Sequence, residues 1–286
     1  MRVTSVELRP EGSSDVIQLS FRDPRSLNPY QIKSIAPLDA DELTPQFYGT
    51  SGDSTKRYYN LTLKKREPVA LIGLNPRYGE PTDNSYSELR DRLYRLIQSS
   101  RTGVVDIVFQ ADGEDVAVIS GTVSKFEAGH FTSKPEVQLT FNCSNPMLQS
   151  PDRFVLVGDD EHPPVTEDDI TIVDEISTAV NGFRFEAQLS GGPYSSFVIS
   201  PPGVSPEWKF DVRPHGGFLD GDVLHFSSEF KNRYIYIQRG GTKIYLADVI
   251  RAGSIWPLLF PGSNSFHTNH PVQWNKIDHY VTFWGV

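Results

Sequence analysis

Along most of this chain apolar and polar residues alternate with a period of two, the pattern of strands that set one face on a core and the other in water. Val105, Ile107 and Phe109 alternate in this way, as do Val137, Leu139 and Phe141, and then Phe183, Phe185, Ala187 and Leu189. Three dipeptides stand between such runs: Asp112-Gly113, Asn181-Gly182 and Gly240-Gly241. Each predicts a tight antiparallel hairpin, because two-residue hairpin turns need a positive φ. Helical spacing occurs once. Ser85 and Glu88 form an S-x-x-E capping box, followed by Tyr86, Leu89, Leu93, Leu96 and Ile97 at helical intervals, which predicts a helix over about Tyr86–Ser99. Parallel strands need a crossover of about a dozen residues or more. With room for one such helix, the sheets are expected to be mainly antiparallel.

Two stretches interrupt the rhythm. Residues 26–56 hold Pro29, Pro37, Pro45, Gly49 and Gly52 with little periodicity, yet carry Tyr30, Ile32, Ile35, Leu38, Leu43, Phe47 and Tyr48. A long apolar connection of this kind reads as an arm that docks on something. Residues 151–166 are rich in proline and acid and read as a linker. The expected fold class is all-β, with α+β at the margin. Its two antiparallel sandwich-like domains would be an N-terminal one over residues 1–150, holding the arm and the helix, and a C-terminal one over residues 167–286.

Length supports two domains: 286 residues stand against about 150 per domain. The 22 glycines and 21 prolines fall short of a low-complexity bias, and 12% aromatic residues argue for packed cores. The formal charge of −9 argues against a general nucleic-acid or anionic-membrane binder, since both rely on a basic face. Cys143 is the lone cysteine, so neither an internal disulfide nor a CxxC pair exists, and a reducing compartment is expected. The first ten residues lack the apolar run of an export signal, and no stretch has the length of a membrane span.

Charge is unevenly distributed. From Phe154 to Phe183 there is no Lys or Arg, while Asp159, Asp160, Glu161, Glu167, Asp168, Asp169, Asp174 and Glu175 all fall there. Lys56, Arg57, Lys64, Lys65 and Arg66 form an opposing basic cluster. The plain reading of each is a solvated face. Opposite patches on one chain also suit a head-to-tail contact between copies, which joins two different surfaces. Arg92 and Arg95, on the polar side of the helix, are further candidates for facing a neighbouring subunit.

Catalytic signatures are missing. No G-x-S-x-G elbow, G-x-G-x-x-G loop or P-loop occurs. Cys143 follows the strand Val137–Asn142 directly and reads as a small buried hydrophobe. His267-x-x-His270 with His279 is the one metal-like constellation, but it lacks cysteines and an HExxH pattern. Asp220-Gly221-Asp222 reads as a turn entering a strand rather than as a calcium loop. With 36 acids, a carboxylate pair suited to glycoside hydrolysis says nothing.

The order of several motifs resembles the distal tail protein (Dit) family of phages with long, non-contractile tails. In the N-terminal half these are the strand RYYNLTL, a second strand through Leu74, the helix SYSELRDRLYRLIQ and the hairpin VVDIVFQADGEDVAVISGTV. They are followed by EVQLTFNCSNPMLQSP, whose Cys143 and Pro146 make a Cys-x-x-Pro step. In the C-terminal half they are Gly221-Asp222 entering VLHF, the hairpin YIYIQRGGTKIYL, and a W-x-x-L-x-P-G-x-N step on Trp256, Pro261, Gly262 and Asn264. The match covers roughly residues 55–150 and 180–270.

The resemblance implies a structural virion protein at the tail tip, assembled in the bacterial cytoplasm, rather than an enzyme. Such proteins form rings, commonly hexameric, that join the tail tube protein to the hub protein and other tail-tip proteins while DNA passes through the lumen. The second domain is often galectin-like. No cofactor, metal, membrane or specific nucleic acid is implied. A competing expectation is a carbohydrate- or receptor-binding module, carried by Trp208, Trp256, Trp274 and Trp284, whose faces can stack on sugars.

Overall fold

A computed structural model describes residues 3–21, 27–38, 44–48, 57–62, 65–76, 85–100, 102–128, 135–167, 169–200, 208–211, 213–229, 232–250 and 256–283. They fall into two compact units, one within Met1–Pro151 and one spanning Asp152–Phe283.

The first unit contains β1 (Ser5–Pro10), β2 (Ile17–Phe21), β3 (Tyr30–Ala36), β4 (Thr44–Tyr48), β5 (Arg57–Thr62), β6 (Val69–Leu74), α1 (Tyr86–Ser99), β7 (Val104–Ala111), β8 (Glu114–Ala128) and β9 (Glu136–Asn142). Seven strands pair in the order β8-β7-β1-β2-β3-β6-β9, and β9 pairs back onto β8. This is a closed barrel rather than the sandwich expected from the alternation. Closure depends on one long strand. Residues 114–122 of β8 pair with β7 and residues 122–128 with β9, across a bulge at Val123–Lys125. Gly121 sits where the strand changes partners, and a Cβ there would lie 2.6 Å from the Cys143 sulfur. Glycine is therefore required for the close approach.

Period-two alternation turns Val6, Leu8, Ile107, Phe109, Val137, Leu139 and Phe141 inward, where all are buried. The helix lays Leu89, Leu93 and Leu96 on this core, and the Tyr30 hydroxyl donates to the Leu89 carbonyl at 2.9 Å. The capping box forms as the sequence predicts, with Ser85 accepting from the Glu88 amide and the Glu88 carboxylate accepting from the Ser85 amide. Tyr86, placed on the apolar stripe by spacing, is instead 52% exposed.

The segment 26–56 is not wholly an arm. β3 lies inside it and is a barrel strand, with Tyr30 and Ile32 buried. A bulge between Ile32 and Ser34 breaks the alternation and hides the strand from a period-two reading. Beyond β3, β4 and β5 form a separate two-stranded ribbon. The ribbon is an insertion whose ends return to one place, because Ala36 at the end of β3 is the cross-strand partner of Val69 at the start of β6.

The second unit contains the later part of β10 (Leu148–Val157), then β11 (Val165–Thr166), β12 (Asp169–Asp174), β13 (Phe183–Leu189), β14 (Ser196–Ser200), β15 (Trp208–Asp211), β16 (Val223–Ser227), β17 (Tyr234–Arg239), β18 (Thr242–Tyr245), β19 (Gly262–Thr268) and β20 (Val272–Phe283). One sheet runs β18-β17-β16-β13-β20, with β11 also on β20, and a second runs β12-β19-β14-β15. A single aromatic core lies between them. Phe185 of β13 stacks on Phe226 of β16 at 4.7 Å, and Phe183 reaches Phe266 of the other sheet at 5.3 Å.

Two further sequence expectations change here. The presumed linker 151–166 is strand at both ends, with a turn closed by the Gly158 amide donating to the His162 carbonyl. Asn181-Gly182 is not a hairpin turn: neither residue has positive φ, and Asn181 bridges to Leu259 instead. A Cβ on Gly182 would meet the Glu229 backbone at 2.5 Å, so this glycine serves packing. The other two dipeptides behave as predicted, with φ of 53° and 90° at Asp112-Gly113 and 50° and 83° at Gly240-Gly241.

Candidate assembly interface

The residues proposed from sequence as subunit contacts have different fates. Lys56, Lys64 and Asp168 lie outside the described residues, as does the Arg57 side chain, although its backbone opens β5. Lys65 is exposed. Arg66 is not a surface cation: it is 1% exposed, and its backbone pairs with Cys143 in an isolated bridge, Cys143 N to Arg66 O at 2.9 Å. That bridge is non-local, so a charge run alone could not distinguish Arg66 from Lys65. On α1, Arg92 and Arg95 are exposed beside Tyr94, which is 47% exposed and packs edge-on against Phe126 at 5.3 Å.

In the second unit Asp159, Asp160 and Glu161 occupy the exposed turn after β10. The Asp159 carboxylate accepts the His162 and Glu161 amides, and these bonds, led by the one from His162, hold it below the usual carboxylate range. Glu167 and Asp169 are also exposed, and Asp169 pairs with His267. Asp174 departs from the pattern: it is 3% exposed and belongs to a buried cluster. The acidic and basic stretches therefore each shrink to their exposed members, and they belong to different units.

The residues singled out by motif order build turns and packing. Cys143 and Pro146 are buried. Gly221 has φ +82°, and Asp222, 2% exposed, accepts two bonds from Arg239, at 2.9 and 2.7 Å, and one from the Leu219 amide at 2.8 Å. Trp256 stacks on Phe226 at 5.5 Å. Pro261 is exposed, Gly262 has φ +93°, and Asn264 fastens the turn by accepting the Phe260 amide at 2.8 Å while donating to the carbonyls of Phe260 and Gly262. The W-x-x-L-x-P-G-x-N step is thus a locked turn into β19.

The histidines do not converge. His267 pairs with Asp169, His270 stacks on Tyr194 at 3.7 Å, and His279 is fully buried among other groups. Of the tryptophans, Trp274 is buried and Trp256 half-buried, while Trp284 and the Trp208 side chain lie outside the described residues. Sequence reasoning missed the ion-pair network of Arg153 and Arg184 with Glu229 and Asp278, whose members are far apart in the chain.

No protein-family model matches the sequence, and no curated protein matches it. Solved structures do. The crystal structure of the SPP1 Dit (gp 19.1) protein, a paradigm of the hub adsorption apparatus in phages infecting Gram-positive bacteria, superposes with a TM-score of 0.58 at 15% identity. The match covers 97% of this chain and 99% of that one. The chain has the fold of a phage distal tail protein. Two structures of the phage P2 baseplate in its activated conformation, with Ca and with Sr, are more distant, with TM-scores of 0.46 and 0.45 at 8% identity over 98% or more of each chain. The match to the SPP1 protein, at 97% of this chain, is long enough to reach into both units.

Proposed function

We propose that this chain is a non-enzymatic structural protein of a phage tail. Copies of it form a ring at the distal end of the tail, joining the tail tube to the hub and host-binding apparatus and leaving a lumen for DNA. The observation that carries this reading is the distal-tail fold over 97% of the chain, both units included. Two features support it. The barrel is closed, so among the described residues its own sheet offers no free edge with which to recruit a neighbour, whereas the β4–β5 ribbon pairs, among those residues, with neither larger sheet. A lone two-stranded ribbon is marginally stable in water and calls for a surface to lie on. A second copy supplies one, and repetition of a heterologous contact closes a ring. The exposed members of the charged stretches, Lys65, Arg92 and Arg95 on one side and Asp159, Asp160, Glu161, Glu167 and Asp169 on the other, are the proposed polar contacts, with a hexamer the expected stoichiometry.

Negative-stain class averages of the purified protein test this directly. Rings are expected, and a monomer at every concentration in light scattering overturns the proposal. Replacing residues 39–64 by a short Gly-Ser linker tests the ribbon, because Ala36 and Val69 already sit side by side. The β signature in circular dichroism should survive and the rings should vanish. Rings of unchanged size would remove the ribbon from the interface.

A further inference from the structure

A buried polar cluster that the assembly reading leaves unused fastens the last strand of the second unit to the loop 175–182. Asp174, at the end of β12, folds that loop back: its Oδ1 accepts the Ser177 amide at 3.0 Å and the Ile176 amide at 3.4 Å. The loop then grips β20. The Ser177 hydroxyl accepts the Thr282 amide at 3.1 Å, the Thr178 amide donates to the Thr282 carbonyl at 2.9 Å, and the Thr282 hydroxyl donates to the Ala179 carbonyl at 2.9 Å. His279 is at the centre and is 0% exposed.

The imidazole is placed to tolerate one proton. Its Nδ1 lies 3.0 Å from Asn181 Nδ2, 3.1 Å from the Tyr280 carbonyl and 3.7 Å from Asp174 Oδ2. Its Nε2 is buried and makes no hydrogen bond among the described residues. Asn181 Nδ2 is also within reach of Asp174 Oδ2 at 3.3 Å and Ser177 Oγ at 3.1 Å, which fixes the amide with its N–H groups toward the cluster. A proton on Nδ1 has the Tyr280 carbonyl and, farther off, the Asp174 carboxylate as acceptors, whereas one on Nε2 finds none among the described residues. The doubly protonated ring therefore leaves a buried N–H unpaired and sets its Nδ1 proton beside the N–H groups of Asn181. Turning the Asn181 amide over would set its oxygen against Asp174.

The charged groups facing the ring are Asp174 from β12, Asp278 on β20 and Arg153 from β10. Asp278 is bound to Arg153 at 2.5 Å and lies 3.4 Å from Lys276, while Arg153 also pairs with Glu229. From β13 the cross-strand partner is Phe183, and from β10 the Phe154 ring stands edge-on at 6.0 Å. Burial outweighs the pull of Asp174 and lowers the imidazole pKa below its usual value.

We propose that His279 is an acid-operated latch, holding the loop 175–182 on β20 when neutral and releasing both when protonated. In the released form the ring titrates near the usual histidine value of about 6.5. The closed form binds the proton more weakly, so release is favoured as pH falls below that value, by at most about tenfold per pH unit, until the closed value is reached. Release should be local, because the bonds that hold the loop to β20 through Ser177, Thr178 and Ala179 all meet at Thr282, next to the end of the strand.

Hydrogen exchange of the full-length protein between pH 7.5 and 5.0, corrected for intrinsic rates, tests the latch. The amides of Ser177, Thr178, Asn181 and Thr282 should lose protection as pH falls, by up to about thirtyfold at pH 5.0, while those of Phe185 and Leu224 keep theirs. His279→Gln should abolish the pH dependence. Protection that ignores pH, that falls equally in the core, or that follows the same profile in His279→Gln overturns the proposal. An NMR titration of the His279 ring in the unmodified protein decides the matter independently of the variant's folding: a midpoint below the usual value, in step with loop exchange, supports the latch, and an ordinary midpoint overturns it.

Discussion

Two arginines of the first unit show what a single residue does and does not disclose. Arg9 alternates with Val6 and Leu8 on β1, so period two places it on the outer wall of the barrel, where it binds Asp115 with two bonds, at 2.6 and 3.0 Å, and Glu7 at 2.8 Å. Arg66 sits in the charged run KKRE and reads as solvated, yet it is buried through a bridge to Cys143 that nothing local announces. The Arg9 contacts have a measurable consequence. The guanidinium bond holds the Asp115 carboxyl below the usual carboxylate range, against a smaller opposing effect of burial. Its contribution to stability is therefore present above that range and lost as pH falls through the lowered value, and it is small because the pair is largely solvated. Arg9→Gln should move the Asp115 titration upward, followed by carboxyl carbon shifts between about pH 2 and 6. An unmoved titration would rule out Arg9 as the cause.

At the scale of elements, what is written locally could be read and what depends on a distant partner could not. The helix is announced by its own cap, and the hairpins at Asp112-Gly113 and Gly240-Gly241 by their positive-φ pairs. β3 was hidden by its bulge, and the exchange of partners along β8 that closes the barrel depends on the packing of Gly121 against Cys143. Since α1 buries only Leu89, Leu93 and Leu96 fully, its first turn depends on Ser85 for the Glu88 amide. Ser85→Ala should cost about 1 kcal/mol, within a range of roughly 0.5–2. Urea unfolding should show this as a lower midpoint with an unchanged slope. An unaltered midpoint would mean that tertiary packing alone sets the helix start.

For the whole molecule, the expectation of two domains rests on length and on the proline-rich interval near residue 151, and the contacts cluster into one unit within Met1–Pro151 and another over Asp152–Phe283. Composition could not show that β10 runs through that interval with Pro151 inside it, because a strand accepts proline wherever no ladder N–H is needed. Each unit has its own interior, the barrel around residues such as Leu139 and the aromatic core around Phe185. Separate cores predict two calorimetric transitions. Leu139→Ala removes a side chain that is 0% exposed in the barrel and should lower one transition by about 2–5 kcal/mol. Asn264→Ala removes the clamp on the Phe260–Gly262 turn and leaves a backbone amide without its acceptor, which should lower the other by about 1–3 kcal/mol. The effects should not cross over. If both variants shift one shared midpoint, the units fold as a single cooperative body, and the proposed ring would have to be built from that body rather than from an autonomous barrel.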